Sequence, residues 1–193
     1  MEIIKAKTAG FCFGVANAVK KAYEAAENEK EKRIYSYGSL IHNERVIEQL
    51  NELGVRTINS FDEVDLKDAI VIIRAHGVAP HVYEKLEKLN CTVIDATCPY
   101  VKKIHNLVRK KYSEGDIIII IGDKTHPEVI GINGWCDNSA IIIEKLEEVD
   151  LIENKDESYS VVCQTTFNIN LFEKICEKLK KSFDKLNIFD TIC

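Results

Sequence analysis

Apolar residues along the 193-residue chain follow two alternating periods. Short β-branched runs at 2–7, 33–36, 69–74, 92–94, 116–121, 140–143 and 159–163 read as strands. Ile117-Ile118-Ile119-Ile120-Ile121 is an unbroken apolar run, the pattern of a strand buried on both faces of a parallel sheet. Between these runs, apolar positions recur at three-to-four spacing over 14–29, 44–53, 80–89, 99–112, 127–136 and 171–186, which predicts amphipathic helices. All three prolines, Pro80, Pro99 and Pro127, stand where such a helix begins, a position that tolerates the missing amide hydrogen. Strand, turn, helix is the repeating unit, and the expected fold class is α/β.

Two echoes suggest that the unit is duplicated. Thr92-Val93-Ile94-Asp95-Ala96-Thr97-Cys98 and Asn187-Ile188-Phe189-Asp190-Thr191-Ile192-Cys193 are both apolar strands ending in Asp-x-x-Cys. Ile72-Ile73-Arg74-Ala75-His76-Gly77-Val78 parallels Ile121-Gly122-Asp123-Lys124-Thr125-His126-Pro127, each a strand whose exit carries a histidine. The expected organisation is two related lobes, 1–97 and 98–193. Cys12, Cys98 and Cys193 are spaced by 86 and 95 residues. If each lobe opens on such a cysteine, a third lobe follows Cys193, and the chain is expected to be part of a longer protein. The charged stretches 24–33 and 153–158 read as exposed turns.

Composition narrows the function classes. With 46% hydrophobic and 30% charged residues, the chain has enough apolar surface for a packed core. A formal net charge of -5 argues against a nucleic-acid footprint on these lobes, so any bound anion must be held by local groups. No apolar stretch approaches the roughly 18–20 residues that span a bilayer, and the first residues lack the basic-then-apolar run of a secretory signal. No membrane partner and a cytoplasmic location are the expectations. Seven cysteines, an odd number, then read as core thiols plus a few ligands or nucleophiles rather than a disulfide framework.

Gly10-Phe11-Cys12-Phe13-Gly14 sets a thiol between glycines at the start of a helix, where backbone can approach closely and a thiolate or anionic cluster is stabilised. The competing reading is a buried thiol in a tight turn. Asp95-Ala96-Thr97-Cys98-Pro99 repeats the arrangement, and Cys193 repeats it again. Cys91, Cys136, Cys163 and Cys176 fall within strands or on helix faces and read as core. Three thiolates with no Cys-x-x-Cys pair do not make a closed structural zinc set. An iron-sulfur cluster held by three cysteines instead leaves one iron open as a Lewis acid. His42, His76 and His126 sit at strand exits beside asparagine, glycine or proline, where open α/β sheets bind ligands, although capping or solvation would also suit each one. His81 and His105 lie in helical patterns and are expected to face solvent or neighbouring side chains. Glu128, near a predicted helix start, is either a proton donor or a plain helix-start acid. Gln164-Thr165-Thr166 presents a hydroxyl to the same region or caps the next helix.

Together these segments resemble the 4-hydroxy-3-methylbut-2-enyl diphosphate reductase (LytB) family. The match covers the whole chain through Gly-Phe-Cys-x-Gly-Val at 10–15, Ile-His-Asn at 41–43, Ala-His-Gly-Val at 75–78, Asp-Ala-Thr-Cys-Pro at 95–99, His-Pro-Glu-Val at 126–129, Gln-Thr-Thr at 164–166 and Cys193. Any one motif is weak, but seven in order and at the right spacing are specific. The resemblance implies a trefoil of α/β lobes around a 4Fe-4S cluster on Cys12, Cys98 and Cys193. It implies that His42, His76 and His126 approach an isoprenoid diphosphate, that Glu128 donates a proton, and that Thr165 organises the substrate hydroxyl and the relay. It further implies ferredoxin or flavodoxin as electron donor, both isopentenyl and dimethylallyl diphosphate as products, and hydrogen-bond donors from a third lobe, so that activity is expected of the longer parent protein. Two other classes compete: a Cys-His hydrolase or transferase using one activated thiolate, and a zinc-stabilised binding module.

Overall fold

The computed structural model describes residue 4 and residues 9–154 and 156–193. The expected strand at 2–7 falls largely outside the described residues. The elements follow in the order α1 (Phe13–Asn28), β1 (Ile34–Tyr37), α2 (Glu44–Glu52), β2 (Val55–Ile58), β3 (Ile70–Ile73), α3 (Pro80–Lys88), β4 (Thr92–Asp95), α4 (Pro99–Ser113), β5 (Ile117–Ile121), α5 (Pro127–Asn133), β6 (Ile141–Ile143), β7 (Tyr159–Cys163), α6 (Ile169–Ser182) and β8 (Leu186–Ile188). Short 3-10 turns occupy Phe61–Glu63, Gly134–Cys136 and Leu146–Leu151. The α/β class expected from the sequence is the class observed. Among the described residues, no helix is long and apolar enough to cross a membrane.

The chain divides into two compact units, Met1–Ala75 with Cys91–Cys98, and His76–Asn90 with Pro99–Cys193. The first holds a four-stranded sheet in the order β2-β1-β3-β4, every neighbouring pair parallel. Ala18, Ala22, Ala25 and Ala26 form one face of α1 and join Ile34, Ile70 and Ile72 in a single core. Their spacing of four, three and one residues makes a helical stripe, and their small side chains let the helix lie close to the sheet. α2 starts at Asn43, whose side chain accepts the Val46 amide at 3.2 Å.

The second unit repeats the design with the parallel order β6-β5-β7-β8. Its centre is the isoleucine run of β5. Ile118 and Ile120 point into a core shared with Ile104 and Val108 of α4 and with Val129 and Ile132 of α5. Ile119 and Ile121 point the other way, onto Phe172, Ile175 and Leu179 of α6. Strand alternation therefore fills both layers, each buried isoleucine contributing roughly 1.5–3 kcal/mol of transfer free energy. The segment 76–90, expected in the first lobe, groups with this unit because the Trp135 indole donates to the Val78 carbonyl at 3.1 Å. His105, 3% exposed, stacks on the same indole at 5.2 Å, so its neighbour is an aromatic ring and not solvent.

Three local expectations differ from the structure. β2 was not predicted, because only Val55 and Ile58 of its four residues are buried and the run is too short to show a period. The helix expected to reach 186 ends at Ser182, since Leu186–Ile188 instead pair in parallel with β7. The helix expected over 127–136 stops at Asn133 and tightens into a 3-10 turn at Gly134.

The two sheets share one topology: in each, the first strand in the chain lies between the second and the third. β5 therefore corresponds to β1, and Gly122 N–H donates to Ile143 O at 3.0 Å just as Gly38 N–H donates to Ile58 O at 2.8 Å. This corrects the second echo read from the sequence, since the counterpart of His126 is His42 and not His76. A test of the packing inside the second unit is Gly134→Ala. A Cβ there would overlap the Cβ of Ala79 and crowd its backbone at the start of α3. We expect a loss of about 1–3 kcal/mol in urea denaturation followed by Trp135 fluorescence.

Candidate active site

In parallel sheets, ligands bind beyond the carboxyl ends of the strands, at the point where strand order reverses. Here that point lies between β1 and β3 in one sheet and between β5 and β7 in the other. The loops leaving these four strands carry His42, His76, His126 and Thr165. Position in the topology thus selects the same residues that motif reading selects.

In the second unit, Glu128 occupies the first turn of α5 and is 2% exposed. Its two carboxylate oxygens are met by one residue: the Thr165 amide donates to Oε1 at 2.6 Å and the Thr165 hydroxyl donates to Oε2 at 2.8 Å. Burial raises the affinity of this carboxyl for its proton, and the two bonds from Thr165 oppose that rise without cancelling it. The pair is therefore a buried carboxyl with raised proton affinity, in direct contact with one hydroxyl.

His126 caps α5, its Nδ1 accepting the Glu128 amide at 3.2 Å. An accepting Nδ1 fixes the neutral ring as the Nε2–H tautomer, which leaves Nε2 as a donor. The His76 ring meets the His126 ring edge-on at 5.4 Å. Gln164, 6% exposed, ties the two loops together: its Oε1 accepts the Asp123 amide at 3.1 Å and its Nε2 donates to Thr166 Oγ1 at 3.0 Å. Asp123 in turn takes the Thr125 amide and hydroxyl, each at 2.7 Å, and these bonds hold its carboxyl below the usual range. The Cys193 amide donates to Thr165 O at 2.9 Å, so this exposed cysteine sits beside the acid pair.

In the first unit, Cys12 is the N-cap residue of α1 and is exposed, with no side-chain capping bond. A Cβ on Gly14, in the first turn of the same helix, would overlap Cys98 Sγ. The glycine is therefore a recess for that thiol, and it brings Cys98 against the helix end that Cys12 opens. The Cys98 amide donates to Ala75 O at 2.9 Å. His42 is exposed on the turn that leads to the N-cap of α2. Two neighbouring thiols at a helix end free of side-chain caps are soft donors of the kind that suit an anionic iron-sulfur group. Of the remaining four, Cys91, read from the sequence as core, is only half-buried just before β4, and the other three differ in kind. Cys136, Cys163 and Cys176 are buried, and burial pushes the Cys136 and Cys176 thiols up to about 11 and the Cys163 thiol higher still.

The family pattern described as LytB protein matches residues 3–193. The chain belongs to the LytB family. Among LytB relatives, the 4-hydroxy-3-methylbut-2-enyl diphosphate reductase of Caldanaerobacter subterraneus is 44% identical over the whole of this chain and 67% of its own length. The reductase of the same name from Clostridioides difficile is 43% identical, with 69% of its length covered. The chain thus spans about two thirds of these LytB relatives. The solved reductase from Plasmodium falciparum aligns with a TM-score of 0.91 at 33% identity, covering 97% of this chain and 59% of that one. A second solved reductase, described as the terminal enzyme of the non-mevalonate pathway, aligns at 0.86 with 38% identity, covering 99% and 68%.

Two features of the LytB site were not read from the sequence. One is the bracing role of Gln164. The other is that His-x-Glu occurs twice at matched positions, His42-Asn43-Glu44 and His126-Pro127-Glu128, which a search for repeats at the first strand exit would have found.

The acid pair yields a pH test. Because the folded-state pKa of Glu128 is raised, its effect on stability is absent below the unfolded-state pKa, grows unfavourable as pH rises above that and is complete once pH passes the folded value. Glu128→Gln, which cannot ionise, should gain stability relative to the parent between about pH 4 and pH 8 in urea titrations. Thr165→Val should lose about 1–3 kcal/mol at the upper pH and less at the lower, where the carboxyl is neutral.

Proposed function

We propose that this chain carries the acid and ligand machinery of a 4-hydroxy-3-methylbut-2-enyl diphosphate reductase, acting within a reductase of the length its relatives have. The observation that carries the reading is the buried Glu128–Thr165 pair at the exits of β5 and β7. The reaction replaces the allylic hydroxyl by hydrogen: two electrons and two protons enter, the carbon–oxygen bond breaks, a carbon–hydrogen bond forms and water leaves. Isopentenyl and dimethylallyl diphosphate are the products, according to which allylic carbon takes the proton.

Cys12, Cys98 and Cys193 are the residues that would hold a 4Fe-4S cluster; the recess at Gly14 and the exposed thiols of Cys12 and Cys193 support that assignment. Such a group, when bound, supplies single electrons and a Lewis-acidic iron. The protein's own part is proton delivery and positioning. Burial raises the proton affinity of Glu128, and the proton it yields passes through the Thr165 hydroxyl to the departing substrate oxygen. The Nε2–H of His126, together with His42 and His76, hydrogen-bonds the anionic diphosphate end. Electrons arrive from a small carrier of the ferredoxin or flavodoxin type. A cytoplasmic setting belongs to the same reading, since free thiols persist where the compartment is reducing.

The test is anaerobic reconstitution of the holoprotein with iron and sulfide. The parent and Cys176→Ser should turn brown, and Cys98→Ser should not; equal colour in all three removes the ligand assignment. Glu128→Gln should keep its colour and lose about 10²–10⁴-fold in kcat, and an unchanged kcat removes the proton role.

A further inference from the structure

The matching topologies allow the two units to be compared residue by residue at their switch points. β1 pairs with β3 so that Tyr37 faces Ile73, and β5 pairs with β7 so that Ile121 faces Cys163. One residue on, Arg74 corresponds to Gln164 and Gly38 to Gly122. In both units the long polar side chain lies over the glycine: a Cβ on Gly122 would come within 2.8 Å of Gln164 Cβ, and one on Gly38 would overlap Arg74 Nη1.

The chemistry of the two positions differs. Gln164 has an acceptor and a donor, and both are used within its unit. Arg74 has donors only. Its Nε is buried with no hydrogen-bond partner, and among the described residues its guanidinium makes no ion pair. Burial lowers its proton affinity, and among the described residues no carboxylate compensates, Tyr37 alone acting against that shift. A partly desolvated cation without a counter-charge among the described residues destabilises a fold, so its place at a ligand-binding strand exit points to a bound anion. The planar donor fork suits a phosphate oxyanion. The turn it lies against at Gly38 leads on to His42 and is held by the Ala75 amide donating to Leu40 O at 3.1 Å.

We infer that Arg74 is an anion-binding residue whose guanidinium takes a phosphate-class oxyanion at the β1–β3 switch point, where the other unit has a neutral glutamine brace. The inference rests on the reductase reading for the nature of the anion, a diphosphate, but its geometry does not depend on Glu128 or the thiols.

The test uses the reconstituted holoprotein, with inorganic pyrophosphate as probe in calorimetric titration. Arg74→Gln, which copies the brace of the other unit, should bind pyrophosphate about tenfold more weakly or worse, and Arg74→Lys, which keeps the charge, should retain most of the affinity. If the anion is the substrate's own diphosphate, Arg74→Gln acts on turnover through KM rather than kcat. If pyrophosphate affinity falls while KM holds, the residue serves a separate phosphate-class anion. Thermal unfolding of the cluster-free chain supplies an independent sign: removing an uncompensated cation should raise Tm. Equal pyrophosphate affinity in the parent and Arg74→Gln overturns the inference, as does a lower Tm with unchanged affinity, which would make Arg74 a brace only. Turnover persisting in either case leaves the reductase reading standing, whereas a parent holoprotein without turnover sinks that reading and leaves the pyrophosphate result to decide Arg74.

Discussion

Parallel pairing of the first and third strands in each sheet is the constraint on which the site depends. It brings the exits of β1 and β3, and of β5 and β7, to the same level. A fourth strand then returns a cysteine to that level by one backbone bond, Cys98 N–H to Ala75 O in one unit and Cys193 N–H to Thr165 O in the other, both at 2.9 Å. The Asp-x-x-Cys segments bend in the same way, since Asp95 accepts the Thr97 amide at 2.9 Å and Asp190 accepts the Ile192 amide at 3.2 Å. Each thiol is thus located by main chain and an aspartate turn.

Within this shared frame, one substitution separates the roles of the two units. Both carry His-x-Glu after the first strand, but Glu44 is exposed while Glu128 is buried. The residue opposite decides the difference: Thr165 offers an amide and a hydroxyl to Glu128, and its counterpart Ala75 has no hydroxyl to offer. Burying a carboxylate without such donors would cost several kcal/mol, so the acid goes inside only where threonine receives it.

Much of this was legible in the sequence because the signals are strong and local. The isoleucine run of β5, the three prolines at helix starts and the repeated Asp-x-x-Cys are each visible in a window of a few residues. Every residue singled out for chemistry, from Cys12 to Cys193, lies at a strand exit or helix start in the structure. What escaped depends on pairing between distant segments. β2 is four residues long and takes its identity from a neighbouring strand. The equivalence of His42 and His126 follows from strand order, which no short window contains. Gln164 and Arg74 gain meaning only when the glycine across the switch point is known.

The bond from Cys193 to Thr165 also bears on how such a protein survives oxygen. Because the peptide amide and not the sulfur makes that link, a chemical change at the thiol alone leaves both bonds of the Glu128–Thr165 pair in place. Under the proposed assignment, loss and rebuilding of a cluster at Cys193 would then leave the carboxyl–hydroxyl pair assembled throughout.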